Sequence, residues 1–141
     1  MIARNQTALK KALFSTTTAT RSSDGIVRIG TDVLPTMSQA VVHNNVVYLS
    51  GQIDGTAGDV VGQTKNILAK LDQYLEEAGT DKSKLLTSTI WLKDIERDFG
   101  AMNEVWISWI DPNNKPVRAT TEASLARPDL LVEIQVTAAK D

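Results

Sequence analysis

After residue 23, only two stretches of this 141-residue chain keep an apolar period of about 3.6, and the other patterned segments there read as strand. The first runs from Val60 to Ala78, with Val61, Thr64, Leu68, Leu71, Leu75 and Ala78 on one side. Asp59 stands as its N-cap, and Gly79 as the left-handed residue past its end. The second spans residues 96–110, with Phe99, Met102, Trp106 and Ile110 as its stripe. Strands are predicted at Asp24–Gly30, in a hairpin over Ala40–Ile53, at Leu85–Lys93, at Val117–Leu125 and at Leu131–Ala139. The hairpin turns at Asn44-Asn45, because asparagine tolerates the positive φ that tight turns need. The order β-ββ-α-β-α-β-β predicts an α+β domain with about six strands and two helices. Two helices cover one face of such a sheet. The other face is either wet or covered by another chain.

The strands favour cover. Val46, Val47, Tyr48 and Leu49 put apolar groups on both faces of the hairpin. In the next strand Leu86, Ile90 and Leu92 are expected to face one way, with Leu85 and Trp91 facing the other. A second face that is half apolar predicts an oligomer interface.

Composition removes several chemistries. The chain has no cysteine, so thiolate nucleophiles, disulfides and cysteine-based metal sites are excluded. Its one histidine, His43, falls at the hairpin turn as an exposed loop residue, which leaves Ser50 without a triad partner. A formal charge of −2 argues against a nucleic-acid partner. No apolar run approaches the ~20 residues of a membrane span. At this length one domain suffices, here residues 24–141. Residues 1–23 differ: Arg4, Lys10, Lys11 and Arg21, no acid, and a Ser/Thr-rich end. Ile2, Leu9 and Leu13 would share one side of a helix there. That is the pattern of a transit peptide and predicts a mitochondrial destination. The plain alternative is an unstructured tail on a cytoplasmic protein.

The last two strands carry the chemistry. Period 2 groups Arg118, Thr120, Glu122 and Ser124 on one face, and Glu133, Gln135 and Thr137 opposite the apolar Val132, Ile134 and Val136. Both polar sets are expected on the face that the helices leave uncovered. Such a surface fits a solvated face with an ion pair. It also fits a carboxylate site, because arginine offers a planar bidentate fork and glutamate can move a proton. Asn103 borders the stripe of the second helix, and its amide needs a partner, either local backbone or a site it orients. Ser50-Gly51-Gln52 ends a strand at a glycine, where backbone can approach a ligand closely.

Three segments together, SQAVVHNNVVYLSGQI, FGAMNEVW and PVRATTEASLARPDLLVEIQVTAA, resemble the RidA/YjgF family of reactive intermediate deaminases, also known as endoribonuclease L-PSP. The resemblance spans residues 38–139. It implies a chorismate-mutase-like fold that trimerises around its sheets, with clefts at the subunit interfaces. It also implies hydrolysis of 2-iminopropanoate or 2-iminobutanoate, and their enamine tautomers, to the 2-keto acid and ammonia, with no cofactor. Arg118 would bind the carboxylate, Glu133 would activate water, and Ser50 and Asn103 would line the cleft. Two substrate-binding positions depart from the family pattern: PTMSQ has Met37 where a tyrosine is usual, and Thr120 stands where cysteine is frequent. Met37 takes a hydroxyl from the cleft rim, whereas the implied reaction needs no thiol at Thr120. An endoribonuclease, a carboxylate-binding module and a structural role are the alternatives. The first would want a basic surface and a histidine pair, the second would keep Arg118 and tolerate loss of Glu133, and the third would need neither.

Overall fold

Asn44 and Asn45 both adopt positive φ, 49° and 63°, as a two-residue type I′ turn requires. That turn sets the hairpin in register, with Val42 opposite Val47 and Ala40 opposite Leu49. Around it the structure, a computed structural model describing residues 18–141, builds one sheet and two helices. The strands are β1 (Ala19–Arg21), β2 (Val27–Ile29), β3 (Ala40–His43), β4 (Val46–Leu49), β5 (Leu85–Leu92), β6 (Val117–Glu122) and β7 (Val132–Ala139). The helices are α1 (Val60–Glu77), between β4 and β5, and α2 (Ile95–Trp109), between β5 and β6. A short 3₁₀ turn, Lys82–Lys84, precedes β5.

Strand order is β1-β2-β3-β4-β7-β5-β6. The final strand inserts between β4 and β5, antiparallel to both. Only β5 and β6 run parallel, as the helix crossover between them requires. The α+β class with helices on one face holds, and the sheet has seven strands where six were expected. The added strand is β1, which pairs with β2 and falls within the extension read over residues 1–23. The amphipathic pattern of Ile2, Leu9 and Leu13 lies outside the described residues.

Both helix ends follow their signals. The Asp59 carboxylate accepts the Gly62 N–H at 2.8 Å, and Gly79 takes φ 86° past the last turn. There the Gly79 and Thr80 N–H groups close back onto the Glu76 and Leu75 carbonyls, satisfying acceptors that the helix leaves open. Ile67, Leu71 and Leu75 of α1 and Met102 of α2 pack onto Ile90, Leu92, Val132 and Ile134 of the sheet, all fully buried. Each such side chain contributes roughly 1.5–3 kcal/mol by leaving water.

Two expectations about facing need correction. A bulge between Leu85 and Thr87 breaks the alternation of β5, so Leu85 joins the core and Leu86 is exposed. The extra residue switches parity, which a strict period of 2 cannot anticipate. In α2, Phe99 is 39 % exposed rather than a core stripe residue, and Val105 is buried beside Met102 and Trp106 instead.

Candidate functional site

Arg118 and Glu133 lie on opposite faces of the sheet. This overturns the expectation that both point away from the helices. In the β5–β6 pairing Ser88 stands opposite Arg118, and Ile90 opposite Thr120. Ser88 and Ile90 are buried under the helices and pair in turn with Val136 and Ile134 of the core. Arg118, Thr120 and Glu122 therefore face α2. The sequence grouped them correctly but on the wrong side, because edge strand β6 has no strongly apolar parity to mark its core face. Its most exposed large apolar residue, Val117 at 70 %, points outward.

The Arg118 half of the site is built on α2. Arg118 Nη1 donates to Asn103 Oδ1 at 2.8 Å. The guanidinium lies over two rings, 5.7 Å from the Trp106 centroid and 5.8 Å from that of Phe99. Stacking on one side and an amide on the other hold the fork in one orientation. Burial draws its pKa down from the usual arginine value, and no carboxylate offsets this among the described residues. Arginine nevertheless stays cationic. Glu122 completes the row by accepting the Ile95 N–H at 3.1 Å, at the start of α2.

The Glu133 half lies across the sheet, on β7 opposite Trp91 of β5. Gln52 and Ile134 exchange backbone hydrogen bonds of 2.9 and 3.1 Å, which pins Gly51 beside the glutamate. A Cβ at Gly51 would collide with Glu133 Oε1, so the expected close approach of backbone is to a carboxylate of the same chain. A buried amide network fixes Ser50 alongside. Ser50 Oγ donates to Gln39 Oε1 at 3.3 Å, and Gln52 Nε2 donates to Gln39 Oε1 at 3.1 Å and to Ser50 Oγ at 3.0 Å. Burial raises the Glu133 pKa above the usual glutamate value, and among the described residues no cation relieves it. Met37 is 47 % exposed, two residues before Gln39.

One strand and three rows of register separate the halves, which puts the two Cα atoms roughly 14 Å apart at ordinary strand spacings. Within one chain the structure thus joins Arg118 with Asn103 and Thr120, and Glu133 with Gly51 and its neighbour Ser50. No cluster of three or more His, Asp or Glu side chains that could hold a metal occurs among the described residues. No helix of the described residues is long and apolar enough to cross a membrane.

The model of the family described as Endoribonuclease L-PSP matches residues 32–140. The chain belongs to the RidA/YjgF family. A RutC family protein of Escherichia coli K12, YoaB, is 42% identical over 114 residues, covering 81% of this chain and 97% of its own. A RutC family protein of Haemophilus ducreyi is 39% identical over 109 residues, covering 77% and 92%. Among solved structures, a YjgF family member from Neisseria meningitidis superposes with a TM-score of 0.80 at 38% identity, covering 85% of this chain and 98% of its own. The RidA/YjgF fold therefore holds for this chain. Four residues around the two halves escaped the sequence reading. Phe99 and Trp106 look like stripe residues until Arg118 is seen above them. Gln39 and Gln52 lie inside the first quoted motif, and their near-complete burial was the missing signal.

Proposed function

We propose that this RidA/YjgF chain hydrolyses small 2-imino acids to 2-keto acids and ammonia, in clefts assembled between copies of itself. The observation that carries the reading is a pair of half-buried groups of opposite charge, Arg118 and Glu133, neither offset by a counter-charge among the described residues. An uncompensated guanidinium on an aromatic shelf suits a substrate carboxylate. An uncompensated carboxylate whose pKa burial raises suits proton transfer. Because they lie on opposite faces, one substrate meets both only where the Glu133 face of one copy abuts the Arg118 edge of another. The half-apolar outer face, with Tyr48, Leu86 and Val117 exposed, suits that contact, and a homotrimer is its expected form.

The chemistry balances without a cofactor. Arg118 holds the carboxylate and so fixes C2. Glu133 takes a proton as water adds to C2 of the protonated imine, returns it to the amine nitrogen, and takes the C2 hydroxyl proton as the C–N bond breaks, the keto C=O forms and ammonia leaves. A net charge of −2 and a single histidine count against the endoribonuclease reading. The test is a coupled assay in which a threonine dehydratase supplies the imine. Arg118→Ala should abolish the acceleration of keto-acid release while the chain stays folded, and Arg118→Lys should rescue poorly for lack of the fork. Full activity in Arg118→Ala would overturn the assignment.

A further inference from the structure

Two buried side-chain polar atoms among the described residues find no hydrogen-bond partner, Ser88 Oγ and Thr120 Oγ1, and both flank Arg118. Ser88 stands directly across the β5–β6 pairing from Arg118, and Thr120 follows Arg118 by two residues. All three share the helix-facing side, with Cα atoms within about 5–8 Å of one another at ordinary sheet spacings. Ser88 is 3 % exposed, and its row along β5 is otherwise apolar, with Leu85, Ile90 and Leu92. A serine there gives up its hydrogen bonds to water on folding and gains none among the described residues. Arg118 cannot restore them as acceptor, because a guanidinium carries donors only.

We infer that Ser88 is a substrate-binding residue, whose hydroxyl joins the Arg118 guanidinium and the Thr120 hydroxyl as donors to the ligand carboxylate. The inference rests on the reading that Arg118 binds that carboxylate, and it explains why both orphan hydroxyls occur at this one place. A carboxylate has about four lone-pair sites. The Arg118 fork takes two, one oxygen each, and the hydroxyls of Ser88 and Thr120 are available for the remainder. Asn103 is already committed to holding Nη1, so it orients the fork and leaves the other guanidinium donors free.

The test uses the full chain and 2-ketobutyrate as the probe, with calorimetry for affinity and the ligand-free Tm as the second readout. Ser88→Ala should weaken binding roughly tenfold, the loss expected for a hydrogen bond to a charged group. Its ligand-free Tm should be unchanged or higher, because an unpartnered hydroxyl has been removed from the core. Thr120→Val should behave alike. Wild-type affinity in Ser88→Ala, with affinity lost in Arg118→Ala, would overturn the role of Ser88 and leave the site standing. Wild-type affinity in both would remove the carboxylate site itself. A lower ligand-free Tm would also overturn the inference, because the hydroxyl would then serve the fold, for instance through a buried water. Should Ser88→Ala fail to fold, Ser88→Cys keeps the volume with only a weak donor and should show the same loss of affinity.

Discussion

Glu133 is expensive to keep ionised where it stands, and that expense is measurable apart from activity. Its folded-state pKa lies above the unfolded value because burial penalises the charge. Such a group favours the fold fully below its unfolded pKa, and that support is lost as pH rises through the folded pKa. Glu133→Gln should therefore raise the Tm at pH 7 relative to the parent, with the gap closing towards pH 4. The same variant should cost on the order of 10²–10⁴ in imine hydrolysis if the residue transfers protons. 2-Ketobutyrate affinity should survive. Equal rates in both proteins would instead make the chain a carboxylate-binding module. Gly51 tests the same carboxylate from the side. Because a Cβ there meets Glu133 Oε1, Gly51→Ala must push the carboxylate away, and should lower the rate while Arg118-dependent binding persists.

At the scale of elements, the loop entering α1 is tied down by one buried acid. Burial would raise the pKa of Asp54, but hydrogen bonds from the Ala57 N–H, the Asn66 amide and the Thr56 hydroxyl outweigh it and hold the value at about 2. A depressed pKa means stability that is present above the unfolded value of 3.8 and lost as pH falls through about 2. Between pH 5 and pH 2 the parent should lose on the order of 2 kcal/mol more than Asp54→Asn, as measured by urea unfolding. Identical acid profiles would mean that the loop is not held by this charge. The β6 strand works differently. Arg118 and Glu122 both reach α2, so an edge strand with little apolar content is positioned by polar contacts with the helix that precedes it.

For the whole molecule, the opposite placement of Arg118 and Glu133 makes subunit complementation the decisive experiment. Arg118→Ala and Glu133→Gln chains are each expected to be inactive. Unfolded together and refolded one to one, random assembly would give about a quarter of the clefts both native residues, if each cleft draws them from two copies of a closed ring. Recovery of roughly a quarter of parent activity is the expected result. No recovery from a mixed oligomer would place both residues' action within one chain, against the geometry. Light scattering that reported a monomer at micromolar concentration would remove the cleft altogether.

How much of this was legible in the sequence depends on the range of the interaction involved. Caps and turns are local: Asp59, Gly79 and Asn44-Asn45 announce themselves because the residues that satisfy or permit each geometry lie within a few positions. Grouping along a strand is local too, so Arg118 with Thr120, and Glu133 with Gln135, could be read from period 2. Which side a group faces is not local. Parity in β5 changed at a bulge, and β6 took its facing from Ser88 and Ile90, residues about thirty positions earlier that a helix crossover brings alongside. The sequence by itself determined the class of fold, the caps and the residue types able to grip a carboxylate and move a proton. The tertiary structure alone decided that Arg118 and Glu133 lie on opposite faces of the sheet, because side-chain direction in a sheet is set by partners distant in sequence and by the burial they impose.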